Sequence, residues 1–370
     1  MTTNLDTLDQ SGVDSAGLLE GARNLLVNCA EARPGERLLI IEEKPALGWY
    51  DAAAPAALAA EAEAMGLQVD RLTVGAPGND RGADLFPTIA RHDCTIFMAR
   101  IGDQDRFGQP PPGTRTVMSY ARDAGMLASA YGRVDHRALV ALKTAVNEIA
   151  LAAERIEIRC PLGTAIEGPV SDAFRETAAD VTVRRFPLGV PQPVDASTLS
   201  GRVALSGYLT TTGSHVYEPA SVTLPGVVFA EVRDGRIAGF EGDAESAARV
   251  REHYRHVSGL FGIDPDVVHS WHAGIHPGCR YDRPAAEDPD RWSNNIFTHP
   301  RFLHFHTCGA YAPGEISWLL IDQSVLMDGR PLWDRGRLRP DLFPAAARCL
   351  EDWPALAAVF AHPSEALGLG

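Results

Sequence analysis

The chain has 370 residues, of which 45% are hydrophobic and 22% are charged, the proportions of a folded globular protein. Its formal net charge of −14 disfavours nucleic acid and anionic membrane surfaces as partners, because both carry negative charge. No apolar stretch approaches the roughly 20 residues of a membrane-spanning helix, and residues 1–15 lack the basic and apolar regions of a signal peptide. The sequence therefore predicts a cytoplasmic protein that is long enough for two domains.

The N-terminal part alternates between helical and strand patterns. Amphipathic or alanine-rich helices are predicted at 16–32, 51–65 and 136–153, and apolar strands at 38–41, 67–74, 95–98 and 115–119. Alternating helices and strands indicate an α/β domain with a parallel sheet and right-handed crossovers. We therefore predict a Rossmann-like domain over residues 1–190. The first strand is not followed by a G-x-G-x-x-G turn, so no nucleotide is inferred from this fold.

The pattern changes after about residue 185. A proline-rich linker, 187–193, leads into strands with alternating apolar residues at 203–209 and 227–233. Two Asp-Gly pairs, at 234–235 and 328–329, are typical of hairpin turns, the second joining strands at 317–327 and 331–338, and one helix is predicted at 244–260. The sequence therefore predicts an α+β, largely antiparallel C-terminal domain over residues 191–370.

Histidines concentrate between residues 253 and 306. His304 and His306 lie in a strand-forming run, where residues two apart face the same side and can reach one ion. Neutral imidazole suits Fe, Zn, Cu or Ni. We predict His272, which we expect in a loop, as the third metal ligand, and Glu315 as a carboxylate that completes the site or acts as a general base.

The His-x-His pattern has a second interpretation. Two half-buried, hydrogen-bonded histidines on a strand give the same spacing without a metal. Cys279 and Cys308 are further candidate ligands that would favour zinc, although buried, unreactive thiols are the default for isolated cysteines.

Several segments resemble the thermophilic metallo-aminopeptidases in chain order. These segments are 32–40 after the opening helix, 222–242, 274–277 and 325–338. The resemblance implies two domains and often a homodimer. At position 272, where those peptidases carry a glutamate ligand of a two-metal site, this chain has a histidine. This departure from the peptidase pattern argues against a dinuclear aminopeptidase.

The same superfamily includes the 2,5-dihydroxypyridine 5,6-dioxygenases, which are iron enzymes. Their Ser-His-Ile-Gly segment is similar to the segment around His272 here, which implies that His272 is an Fe(II) ligand. Two positions depart from that pattern. Ser317 stands at one of their ligand positions, and His304 and His306 from the neighbouring strand would take over the role of that ligand. The position of their catalytic histidine falls near Asp103, so the resemblance implies either that Asp103 is the base or that the base is absent.

The function predicted first is that of a mononuclear non-heme Fe(II) dioxygenase, which cleaves a small hydroxylated aromatic or pyridine acid. Mn, Zn or another divalent transition metal is the alternative cofactor. Arg100, Arg115 and Arg280 are predicted to bind a substrate carboxylate, since guanidinium groups match carboxylates in geometry. Asp103 is predicted as a base, and Tyr311 as a hydrogen-bond donor to the bound oxygen.

Two other functions are compatible with the sequence. A metal-dependent hydrolase would use metal-bound water, with Glu315 or Asp103 as general base, to attack an amine-bearing ring carbon. The superfamily also resembles a nitroanthranilate aminohydrolase, and a peptide amide is a weaker option. A non-enzymatic metal- or small-molecule-binding protein is the third interpretation.

Overall fold

The computed structural model describes residues 13–78, 82–103, 110–176, 184–211 and 217–369. The strands, in chain order, are β1 (Arg37–Glu43), β2 (Gln68–Val74), β3 (Cys94–Met98), β4 (Arg115–Ser119), β5 (Arg155–Arg159), β6 (Ala165–Pro169), β7 (Arg184–Phe186), β8 (Val194–Asp195), β9 (Ser200–Thr210), β10 (Ser221–Arg233), β11 (Arg236–Gly242), β12 (Val268–Ala273), β13 (Phe302–Cys308), β14 (Glu315–Ile321), β15 (Ser324–Met327), β16 (Arg330–Asp334) and β17 (Arg337–Leu338).

The α-helices, in chain order, are α1 (Ser15–Arg23), α2 (Ala53–Ala64), α3 (Phe86–Ile89), α4 (Ala124–Ala128), α5 (Ala130–Arg133), α6 (His136–Ala152), α7 (Asp172–Glu176), α8 (Ala244–Phe261), α9 (Pro289–Ile296), α10 (Pro344–Asp352) and α11 (Pro354–Ala361). A π-helix, Asn24–Cys29, continues α1, so the first predicted helix changes its winding halfway. Among the helices of the described segments, none combines the length and the apolar character needed to cross a bilayer.

The N-terminal sheet is parallel, in the order β2-β1-β3-β4-β7. Its central strands are buried, as the apolar run in β1 predicts. The connection from β1 leads to β2 on one side, whereas β3 lies on the other side. Such a reversal opens a crevice at the carboxyl ends of the strands, where α/β proteins bind ligands. The Rossmann-like prediction is confirmed.

The second sheet is antiparallel and contains twelve strands. Its main path is β17-β16-β15-β5-β6-β9-β14-β13-β12-β8, and β10 and β11 extend it beside β9. β5 and β6 thus join this sheet before β7 returns to the parallel one, because their alternating buried residues suit an antiparallel hairpin. The chain changes sheets before residue 190, and the division into residues 1–190 and 191–370 stays a prediction.

The two predicted hairpin turns are confirmed. Asp234 and Gly235 have φ angles of 46° and 68°, and Asp328 and Gly329 have φ angles of 50° and 78°. Two-residue turns with positive φ at both positions match the twist of the flanking strands. The strand predicted over 317–327 is interrupted, however, because Asp322 takes a φ of 55° between β14 and β15.

Strands β12, β13 and β14 are buried on both faces. One face, with Phe305 and Trp318, belongs to the larger hydrophobic core, which also contains Tyr254 of α8. The other face, with Phe302 and Leu319, belongs to the core built by the parallel sheet. This second face therefore lies where the two sheets of the protein meet.

Candidate metal centre

The pairing of two neighbouring strands brings the three predicted histidines together. His272 lies on β12, not in a loop, and stands directly opposite His304 of β13. His306 is two residues further along β13 and shares the face of His304. The ring centre of His272 lies 5.7 Å from that of His304 and 4.9 Å from that of His306. The cluster faces the parallel sheet.

The imidazole of His304 is buried without a hydrogen bond. Its exposed fraction is 1%, and neither ring nitrogen has a partner among the residues that the structure describes. Burial, followed by the charge of His306, lowers the pKa of His304 to about 3, so the ring is neutral at pH 7. An unsatisfied buried donor costs about 1–3 kcal/mol. A neutral imidazole with an available lone pair is the form that binds transition metals.

Glu315 contacts His306 across the β13–β14 hairpin. Both side chains are buried, and Oε1 of Glu315 pairs with Nδ1 of His306. Because a carboxylate accepts, Nδ1 carries a proton, and in the neutral ring the lone pair would lie on Nε2. Nε2 has no hydrogen-bond partner in the described part of the chain. This arrangement matches the carboxylate–histidine pairs of metal sites, in which the carboxylate fixes the ring and is not itself a ligand.

The residue types and the strand register fit a transition-metal ion, whereas the ring orientations do not. Two imidazoles bound to one ion at about 2.0–2.2 Å place their ring centres roughly 5 Å apart, close to the observed separations. In this conformation, however, no set of three or more His, Cys, Asp or Glu side chains in the described segments is arranged to hold a metal. The register fixes the backbone, while rotation about the side-chain torsions decides where each nitrogen points. Metal binding at this cluster would therefore require the rings to turn.

An aromatic pair joins the histidines to the edge of the parallel sheet. Phe297, directly after α9, lies with its ring centre 6.4 Å from that of His272 and 6.0 Å from that of His304. Tyr120 packs edge-on against Phe297 at 5.3 Å and donates a hydrogen bond of 2.7 Å to Asp103. The predicted base, Asp103, is buried and is connected to the histidines through Tyr120 and Phe297.

Arg100, predicted to bind substrate, is engaged within the protein. Its Nη2 donates to Oε1 of Glu43 at 2.8 Å, and its backbone N–H donates to Oε2 of the same carboxylate at 2.9 Å. The guanidinium also lies 4.3 Å from the ring centre of Trp49. Its charge is therefore already neutralised, although it lies at the carboxyl edge of the parallel sheet.

The other predicted substrate residues lie elsewhere. Arg115 begins β4, at the amino edge of the parallel sheet, and is paired with Glu36. Arg280 forms an ion pair of 2.7 Å with Asp282. Tyr311 is 53% exposed in the turn between β13 and β14. The structure therefore places these three in ion pairs or at the surface, and their predicted roles gain no support from the geometry.

Sequence reasoning missed the helix that covers the histidine face. The hydroxyl groups of Thr210 and Ser293 are 2.8 Å apart, and Thr211 donates to Asp290 at 3.0 Å, which fastens α9 to the end of β9. Thr210 is paired with Ser317, the neighbour of His306 in the sheet. The polar segment 290–295 resembles a solvent-exposed loop in sequence. The only sequence signal was the helical spacing of Trp292 and Ile296 within that polar run.

No family model and no curated protein matches the chain. The structure is similar to a 2,5-dihydroxypyridine dioxygenase from Pseudomonas putida KT2440, with a TM-score of 0.58 and 12% identity over 88% of this chain and 98% of that one. It is also similar to AmpT from Thermus thermophilus, with a TM-score of 0.49 and 12% identity over 87% of this chain and 99% of that one. At this identity, the likeness to the dioxygenase establishes a distant relationship in fold.

Proposed function

We propose that this protein is a metal-dependent enzyme, in which His272, His304 and His306 hold one divalent transition-metal ion. Fe(II) is the first choice, with Mn or Zn as alternatives, and the reaction is the oxidative ring cleavage of a small hydroxylated aromatic or pyridine acid. One observation carries the proposal: the ring of His304 is buried beside two further imidazoles with both of its nitrogens unpartnered among the described residues. The fold likeness to a dioxygenase is consistent with it.

Each residue around the cluster would have a separate role in such a reaction. Bound there, Fe(II) would supply open coordination positions for adjacent substrate oxygens and for O2. Glu315 keeps the proton on Nδ1 of His306 and so keeps Nε2 available. Phe297 and Tyr120 give the crevice an aromatic wall against which a planar ring can stack. Asp103, which accepts a hydrogen bond from Tyr120, would accept a proton from a substrate hydroxyl.

A metal-dependent hydrolase of an aminoaromatic acid is the second candidate. One observation favours it: Asp103 is a buried carboxylate that accepts a hydrogen bond from Tyr120, which packs on the Phe297 ring beside the histidines. A carboxylate in this position suits a general base for water as well as for a substrate hydroxyl. The two candidates share the metal ligands and differ in whether O2 is consumed.

Anaerobic purification, metal analysis and oxygen uptake test the proposal. With Fe(II) and dihydroxypyridines or hydroxypicolinates, we expect oxygen consumption, which His304→Ala and His306→Ala should abolish together with metal binding. His362→Ala, at an exposed position, serves as the control and should keep both. Ammonia release from aminobenzoates without oxygen would support the hydrolase instead. Full metal occupancy in both histidine variants would overturn the proposed ligand set.

A further inference from the structure

Arg122 is a cation with no exposed surface. It lies three residues beyond the end of β4, at the carboxyl edge of the parallel sheet. Its guanidinium carbon is 4.8 Å from the ring centre of Trp49 and 5.3 Å from that of Tyr50. Nη2 donates to the backbone oxygen of Asn294 at 3.1 Å, whereas Nε and Nη1 have no partner within the described segments.

The charges near Arg122 are occupied by other groups. Glu43 is held by Arg100, through both the guanidinium and the backbone N–H. Asp103 accepts from Tyr120. A guanidinium does not lose its proton at any ordinary pH, and a buried charge without a hydrogen-bonded counter-charge costs several kcal/mol. A ligand that brings an anionic acceptor to Arg122 would recover part of this cost.

Helix α9 relates Arg122 to the histidine cluster. Asn294, which accepts from Arg122, and Phe297, which packs against His272 and His304, are three residues apart, a rise of about 4.5 Å in a helix. Tyr120 packs on the same Phe297. The C-terminal end of α9 thus connects Arg122, through Asn294, with the histidines, through Phe297.

We infer that Arg122 binds the carboxylate of an aromatic acid whose ring lies along Phe297 and Tyr120. The placement of the ring beside the histidines rests on the proposed function, whereas the binding of the anion to Arg122 does not. A planar guanidinium donates to both oxygens of a carboxylate, and stacking on Trp49 holds its plane. Since the whole chain carries a net charge of −14, selectivity for an anion has to come from such a local group.

Binding to the metal-free protein tests this inference separately from catalysis. Isothermal titration of the EDTA-treated full chain compares salicylate and gentisate with their uncharged amides. We expect the acids to bind roughly tenfold or more tightly than the amides. Arg122→Gln should remove this preference, whereas the control Arg159→Gln, which changes an exposed arginine of β5, should keep it.

Two binding results would overturn the inference. Equal affinity of the wild-type protein for acids and amides would overturn the inference, and so would an unchanged preference in Arg122→Gln. If Arg122→Gln does not fold, Arg122→Lys replaces it, and a loss of the preference is again expected, because an ammonium lacks the planar pair of donors. Preference for acids in a protein that never retains metal would leave the inference standing and would overturn only the proposed function.

Discussion

The two faces of β12, β13 and β14 are both largely buried, but they differ in how their polar groups are hydrogen-bonded. On the face toward α8, Nε1 of Trp318 donates to the hydroxyl of Tyr254 at 2.7 Å, and Tyr254 also bonds to Thr307. On the face toward the parallel sheet, His304 and Ser317 carry polar atoms without partners among the described residues. Neighbouring residues of the same strands therefore differ in whether their buried polar atoms have hydrogen-bond partners.

The difference separates a structural polar network from a candidate site. Buried polar groups are hydrogen-bonded in the great majority of cases, since an unsatisfied group costs free energy. On the face toward α8, Trp318, Tyr254 and Thr307 follow this rule, although Nε1 of Trp271 on the same face has no partner among the described residues. The opposite face departs from it at the point where three imidazoles meet. We interpret the departure as space for a ligand that supplies the missing interactions.

His304→Ala should have the largest effect. Removing one of three donors is expected to weaken the binding of Fe(II) or Zn(II) by roughly 100-fold or more. The loss of stability should come only from the cavity that the buried ring leaves, because the ring makes no hydrogen bond with the described residues. Equilibrium dialysis with metal analysis measures the affinity. His276→Ala is the matched control, since its ring is fully buried and bonds to Tyr131 and Gly278. His276→Ala should keep the metal and lose more stability than His304→Ala. Loss of the metal in His276→Ala, or its retention in His304→Ala, would contradict the difference between these two histidines.

Glu315→Gln should weaken metal binding by about 10–100-fold. The amide cannot hold the Nδ1 proton of His306 as a carboxylate does, so the ring loses its fixed tautomer. The same dialysis assay measures the change, and Glu157→Gln on β5 is the control. Unchanged affinity would show that Glu315 has no part in the site.

Acid should destabilise the protein through His276. Burial lowers the pKa of His276 from 6.5 to about 4. Between these values the unfolded chain binds a proton that the folded chain does not, so stability is complete above pH 6.5 and falls as the pH decreases toward 4. The expected loss is about 1.4 kcal/mol per pH unit for this group. Urea unfolding at pH 7 and pH 5 measures it, and His276→Gln should show a shallower dependence. The same dependence of stability on pH in the wild-type protein and in His276→Gln would contradict the role given to His276.

The smallest effects are expected at Ser317 and Trp318, which are adjacent residues on opposite faces of β14. Trp318→Phe removes the hydrogen bond to Tyr254 and should lower the free energy of unfolding by about 1–3 kcal/mol. Ser317→Ala removes a hydroxyl without a partner in the described part of the chain and should leave stability unchanged or raise it. Thermal and urea unfolding compare the two variants. An equal loss in both would show that the faces do not differ as described.

Local signals predicted much of the fold. The Asp-Gly turns, α6, α8 and the strand that carries His304 and His306 follow from turn chemistry and from hydrophobic spacing over a few residues. The placement of β5 and β6 did not follow, because it depends on pairing with β9 and β15, far away in sequence. Pairing partners at such distances leave no local trace in a single sequence.

The sequence indicated which histidines lie close together, but not what surrounds them. The His-x-His spacing identified His304 and His306, but His272 was expected in a loop, since only pairing with β13 makes that segment a strand. The arginines were chosen by residue type. Whether an arginine is neutralised depends on distant carboxylates, as Arg100 and Glu43 show, and the burial of Arg122 has no local signature.

Iron K-edge X-ray absorption on the anaerobically Fe(II)-loaded protein tests the central claim most directly. The account predicts about one iron per chain, with nitrogen ligands at roughly 2.0–2.2 Å and the outer-shell scattering of imidazole rings. The imidazole scattering should decrease in His304→Ala. Iron that is absent after loading, or that is bound without imidazole scattering, would contradict the claim that His272, His304 and His306 form a metal centre.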